Sequence, residues 1–163
     1  MRGRIFTVVV AVSLTLTATG LAQLRPALLA NGAQQMQMGG STDQGIPSYH
    51  AYAPKPPLTT TLDPKQFPDA LNRNVYALAG RIRPVLFQQP CYCYCDRSVG
   101  HKSLLDCFAS THGTQCDICQ KEAVYAYQQT QKGKKPEQIR AGIIRGEWNS
   151  VDMKPYIAGP VSR

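Results

Sequence analysis

Apolar positions along the chain fall into three regimes. Residues 5–16 form one nearly unbroken apolar block centred on Val8, Val9, Val10, Ala11 and Val12. Residues 23–62 show no sustained period, so they predict neither helix nor strand. Beyond them Leu71, Val75, Leu78, Ala79, Ile82 and Leu86 recur at steps of three and four, which is one apolar face of a helix. Pro64 and Pro68 fit only near its first turn. Arg83 precedes Pro84, so this helix is expected to stop there and residues 85–87 to run extended into Pro90.

A second short helix is expected over 102–108, with Leu104, Leu105 and Phe108 apolar. A third is expected over 114–132. Thr114 would cap it, Asp117 would complete a capping box, and Gly133 suits the position past its end. A fourth begins at Pro136 and Glu137, with Ile139, Ile143 and Gly146 on one face and Trp148 closing the core. The tail, with Pro155 and Pro160, is expected to be irregular. The fold class is therefore all-α: a small helical domain of about four short helices, over 63–152, followed by an irregular tail at 153–163. A domain of that size often relies on a metal or disulfides for support.

The N-terminal regime reads as processing, not fold. Arg2 and Arg4 give a positive start, the apolar block follows, and Gly20-Leu21-Ala22 fits a small-x-small cleavage site. Residues 1–22 are expected to be a secretory signal peptide, which places the protein outside the cytoplasm, in the periplasm or cell envelope. A membrane would be met only through an uncleaved signal. Residues 23–62, with Gln34, Gln35, Met36, Gln37 and Met38, then Pro47, Pro54, Pro56 and Pro57, are expected to be a disordered linker. Met36, Met38 and His50 are read as part of that linker, not as metal ligands.

The formal net charge is +8, and loss of Arg2 and Arg4 with the signal takes it to +6. Lys132, Lys134 and Lys135 form one tight basic cluster, placed where it complements a helix C-terminus. There is no basic stripe with interleaved aromatics, so nucleic acid is not an expected partner.

The candidate chemistry lies in six cysteines: Cys91, Cys93, Cys95, Cys107, Cys116 and Cys119, all within residues 91–119. If the first three are extended, alternation points their sulfurs to one side and Tyr92 and Tyr94 to the other. Three thiolates on one face make a soft-metal site, for which copper(I) and zinc are the natural ions. Cys116 and Cys119 would share one helical face, with Cys116 in the first turn, where the helix dipole favours a thiolate. His101 and His112 are further possible ligands. Asp117 reads as a capping residue.

Three readings stay open. The first is an exported soft-metal-binding protein for carriage, sensing or sequestration, with all six cysteines as ligands and no visible general base or substrate pocket. The second is a thiol–disulfide redox protein, with Cys116 as nucleophile, Cys119 resolving and the Cys91–Cys95 run as relay. The third is a disulfide-stapled interaction module, in which the first three cysteines pair with the last three. The partners implied are a metal ion and a metal-handling or redox protein. Clustering favours a site, because disulfides gain more by closing longer loops. Covalent haem attachment needs His directly after Cys-x-x-Cys, and Gln120 stands there.

The stretch Pro90-Cys91-Tyr92-Cys93-Tyr94-Cys95 resembles the bacterial PCYCGC-motif family, also described as the CYCXC family of exported (seleno)proteins. Gly100-His101-Lys102-Ser103, Asp106-Cys107-Phe108, His112-Gly113 and the Cys116/Cys119 pair extend the resemblance over about 84–148. Members are exported or lipid-anchored and of unknown function. The resemblance implies thiol or selenol chemistry at Cys95, where some relatives are described with selenocysteine. Tyr94 stands where Gly is common in the family, and Gly there would allow a tighter turn.

Overall fold

The computed structural model describes residues 45–159. The signal-peptide reading of 1–22, Met36 and Met38, and the end of the tail lie outside the described residues. Among those described there are six α-helices, four short 3₁₀ turns and no strand, so the all-helical class holds.

Helix α1 (Ala70–Arg81) starts with the apolar pattern at Leu71, but Pro64 and Pro68 precede its cap, and Pro64 opens a separate 3₁₀ turn, Pro64–Gln66. Asp69 caps it, accepting the Asn72 backbone N–H at 2.8 Å. Its apolar face buries Val75, Tyr76, Leu78 and Ala79. Residues 85–87 are not extended. Helix α2 (Arg83–Leu86) is a separate turn, with Pro84 in its first turn and Ile82 as the joint. The rule that ends α1 before Pro84 also permits a helix to begin with it.

Helix α3 (Cys95–Ser98) lies inside the cysteine region. The expected helix over 102–108 is a 3₁₀ turn, Leu104–Phe108, and a second such turn spans Thr111–Thr114. Helix α4 (Asp117–Gln131) is the longest element and the hub of the fold, packing against α1 and the turns at 104–108 and 111–114. It also packs against α5 (Pro136–Ile144) and the turn at Glu147–Ser150. Gly133 ends α4 at φ 74°, with its N–H bonded to Thr130 O at 2.9 Å.

Three further expectations change. Thr114 does not cap α4; its hydroxyl donates to Thr111 O at 2.7 Å and closes the preceding turn, which leaves Cys116 as the cap. Gly146 does not continue the α5 face; it takes a left-handed conformation and starts the turn that buries Trp148. The tail is not wholly irregular, since α6 (Lys154–Ile157) buries Tyr156 against α1. Asn74 on α1 holds that tail by donating to the Tyr156 carbonyl at 2.7 Å.

Residues 45–62 carry no helix or strand and are seated on the domain. Ser48 N–H donates to Asp96 at 3.0 Å, and Arg140 sits over the Tyr49 ring at 4.7 Å. His50 stacks on Phe87 at 3.9 Å, and Leu62 N–H bonds to Phe108 O at 2.9 Å. Each tie joins one residue of the segment to a distant partner and leaves no periodic trace.

Beneath these helices lies one core. Phe67, Tyr76 and Phe108 form its aromatic floor, with Tyr76 and Phe108 edge to face at 5.1 Å. Tyr76 donates its hydroxyl to Ser110 O at 2.7 Å. Cys91, Cys95, Cys107 and Cys119 belong to the same buried cluster. The cysteine centre is therefore an edge of the core and not a surface appendage.

Candidate metal centre

The local backbone brings the first three cysteines together by folding, not by extension. Tyr94 N–H bonds back to Cys91 O at 3.1 Å, which makes residues 91–94 a turn. Tyr94 itself is left-handed, at φ 57° and ψ 30°, and Cys95 begins α3 immediately after it. The sulfurs of Cys91 and Cys93 are consequently adjacent, at 3.3 Å. Cys95 is redirected to Cys107, at 3.4 Å. The two tyrosines meet at 5.8 Å, and Arg97 lies 4.4 Å over the Tyr94 ring.

Helix α4 supplies the opposing wall. Cys119 Sγ lies 3.3 Å from Cys91 Sγ and 3.5 Å from Cys93 Sγ. One turn further along, the fully buried Glu122 accepts the Tyr92 backbone N–H at 2.9 Å and so ties the cysteine turn to the helix. Sequence reasoning missed Glu122. Its signal was present: it follows Cys119 by three residues and shares that helix's inward face.

The turns at 104–108 and 111–114 bring Cys107 and His112. Asp106 accepts the N–H groups of Lys102 and Ser103, at 2.7 and 3.2 Å, and fixes the start of the first turn. Gly113 follows His112 in a crowded place, where a Cβ would lie 3.0 Å from both Phe108 and the Tyr76 hydroxyl. His101 Nδ1 sits between two sulfurs, 3.2 Å from Cys95 and 3.4 Å from Cys107. His112 Nε2 lies 3.7 Å from Cys93, and the two imidazoles meet edge to face at 5.0 Å.

Three groups of four ligand atoms result, each with all its atoms within 4.8 Å of one another. They are Cys91, Cys93, Cys107 and Cys119; Cys93, Cys95, Cys107 and His112; and Cys93, His112, Cys116 and Cys119. A tetrahedral ion bound at about 2.3 Å to sulfur needs sulfurs roughly 3.8 Å apart. The donors are thus spaced and typed for a soft ion, and all six cysteines are free thiols. They converge on a common region and do not fall into three isolated pairs.

Proton affinity is divided unevenly among the sulfurs. Hydrogen bonds with neighbouring thiols, Cys107 foremost, hold Cys93 well below the ordinary thiol range. Hydrogen bonds with Cys119 and then Cys91 hold Cys107 at about 4. Cys91, Cys95 and Cys119 are pushed up, each first by hydrogen bonding with Cys107. Cys116 is not the low-pKa thiol that a helix first turn would give. It is the cap residue; Cys119 pulls its thiol down, but Cys93 and burial push it above the ordinary value.

A family model described as protein of unknown function with PCYCGC motif matches residues 57–155, more than half of the chain. The chain belongs to that PCYCGC family. Comparison with curated proteins and with solved structures finds no match. The match spans the whole cysteine centre and the α1–α5 frame that positions it. In the PCYCGC motif the fifth position is Gly, and here it is Tyr94, the residue held left-handed. The backbone at that position has the conformation for which Gly is suited.

Proposed function

We propose that this PCYCGC protein is an exported soft-metal-binding protein that carries or sequesters copper(I) or zinc in the cell envelope. One observation carries the reading: three overlapping sets of Cys and His donors, each within 4.8 Å, built into the edge of the core. Thiolate-rich donor sets select soft or borderline ions, and imidazole is compatible with both copper and zinc. The chain's own residues do three things. Cys93 and Cys107, whose thiol neighbours lower their pKa, give up protons most readily, and the other ligand thiols release theirs as the ion binds. Glu122 holds the cysteine turn in place through Tyr92. The α4 wall and the turn at 104–108 exclude water from Cys107 and Cys119, which are fully buried. Export rests on the N-terminal pattern of charge and apolar residues.

Purification of the mature chain under reducing conditions, followed by reconstitution with copper(I) or zinc and elemental analysis, tests the proposal. Stoichiometric metal that survives desalting is expected. Absence of stoichiometric metal with both ions removes the proposal.

A further inference from the structure

The donor atoms exceed what one ion can use. Six sulfurs and two imidazoles crowd the centre, whereas a tetrahedral soft ion takes four ligands. The three donor sets also overlap in an informative way. Cys93 belongs to all three. The set Cys91, Cys93, Cys107 and Cys119 and the set Cys93, His112, Cys116 and Cys119 share two members, both cysteines.

Ligand chemistry decides which sets can be filled together. A thiolate has several lone pairs and can bridge two ions. A neutral imidazole nitrogen has one and cannot. The two sets containing His112 compete for one imidazole, whose Nε2 lies 3.7 Å from Cys93 Sγ. The set of four cysteines meets each of the other two only through sulfur, and of those two the set holding Cys116 is the more exposed, so the pair that places one ion inward and one outward is the four-cysteine set with the Cys116 set. Their shared edge, Cys93 Sγ to Cys119 Sγ, is 3.5 Å long. Two ions flanking that edge, each about 2.3 Å from both sulfurs, stand about 3 Å apart, a separation that leaves each its own tetrahedron.

Burial separates the two positions. In the four-cysteine set Cys91, Cys107 and Cys119 are buried, and Cys93 alone is half-buried. In the other set Cys93, His112 and Cys116 are all half-buried, and Cys119 alone is buried. One position faces the core and the other faces solvent.

Building on the metal-binding reading above, we infer that the centre is binuclear. An inner ion is held by Cys91, Cys93, Cys107 and Cys119. An outer ion is held by Cys93, His112, Cys116 and Cys119. Cys93 and Cys119 bridge them. Cys116 and His112 belong to the outer ion only, and Cys91 and Cys107 to the inner ion only. An arriving ion meets the outer set first and passes inward across the shared edge without leaving sulfur. Cys95 belongs to neither of these two sets; its sulfur lies 3.2 Å from His101 Nδ1 and 3.4 Å from Cys107 Sγ.

The test loads the reduced chain anaerobically with copper(I) in excess and counts bound ions by native mass spectrometry. At least two per chain are expected at saturation, together with a metal–metal scattering path near ~3 Å in X-ray absorption. Cys116→Ser should lower the count by one, and Cys93→Ser should leave at most one ion, with circular dichroism checking that each variant keeps its helices. If a variant unfolds, the scattering path of the unsubstituted chain still decides. Saturation at one ion, or two ions without the short metal–metal path, overturns the bridged pair and leaves the metal-binding reading standing. No bound copper(I) here, together with no bound zinc on reconstitution, removes the metal-binding reading itself.

Discussion

Glu122 accepts the backbone N–H of Tyr92 at 2.9 Å, from the buried face of α4 to the turn that carries three cysteines. This bond sets the distance between the two halves of the centre. Burial pushes the Glu122 carboxyl well above the usual carboxylate range. A neutral amide of the same shape should therefore replace it well. Glu122→Gln is expected to fold with stability within about 1 kcal/mol of the parent, whereas Glu122→Ala loses about 2–4 kcal/mol through a cavity and an unsatisfied N–H. Urea unfolding of the metal-free chain checks this. Equal stability of the two variants would show that the bond does not hold the turn.

Tyr94 occupies left-handed backbone at φ 57°, a conformation that costs a side chain roughly 1–2 kcal/mol. Its ring recovers part of that through Arg97 and Tyr92. The two contributions can be separated by paired substitutions. Both Tyr94→Ala and Tyr94→Gly lose the ring contacts, but only Ala keeps the strained Cβ. The Gly variant should be the more stable of the two by about 1 kcal/mol, read by chemical denaturation. A more stable Ala variant would contradict the strain argument.

The parts of this fold legible in the sequence are those decided within one helical turn. The α1 face, the Gly133 stop and the Pro136 start each depend on residues a few positions apart, and each is where the pattern places it. The six cysteines announced a site by clustering alone. Its geometry was not legible, because it rests on a Tyr in a conformation that Tyr seldom adopts and on contacts between distant segments. Alternation of Cys and Tyr suggested an extended run, and the left-handed Tyr94 breaks it. His101 between Cys95 and Cys107, Asn74 holding the tail, and Ser48 on Asp96 are tertiary contacts with no local period. Thr114 had the composition of a cap, but the turn before it used its hydroxyl first.

Away from the cysteines, pH dependence should come from Tyr125 and Glu147, whose side chains hydrogen-bond. Burial, then Glu147, pushes Tyr125 up to about 12. The exposed Glu147 is held below its ordinary range, first by Tyr125 and then by Arg145, whose guanidinium donates to it at 2.7 and 2.9 Å. Tyr125 keeps its proton longer when folded, so stability falls as pH rises from about 10 towards 12. The Glu147 contribution is present above the ordinary carboxylate pKa and lost as pH falls through the lowered folded value. Tyr125→Phe should flatten the alkaline limb of a plot of unfolding free energy against pH, and an unchanged limb would refute the assignment. Gly142→Ala attacks the same contact by sterics, since a Cβ there would clash with the Tyr125 hydroxyl and lie 2.8 Å from Glu147 Oε2, and should lower stability across the whole pH range by displacing the Tyr125 ring.

The closest sulfur contacts between residues well separated in sequence forecast how the centre fails under oxidation, since Cys91 and Cys93, also 3.3 Å apart, are only two residues apart along the chain. Cys91 and Cys119 stand 3.3 Å apart, and Cys95 and Cys107 stand 3.4 Å apart. Each pair needs an approach of only about 1.3 Å to reach the disulfide bond length. A diazene oxidant such as diamide accepts two electrons and two protons per pair, converting two thiols to one disulfide. Peptide mapping should find Cys91–Cys119 and Cys95–Cys107 as the first bridges. Each of these pairs contains members of the four-cysteine set, so the oxidised chain should lose its capacity for the inner ion. Prior loading with copper(I) should slow bridging at Cys91 and Cys119 at least tenfold, because the sulfur lone pairs are then committed to the metal. Equal oxidation rates with and without copper(I) would mean that the ion sits elsewhere.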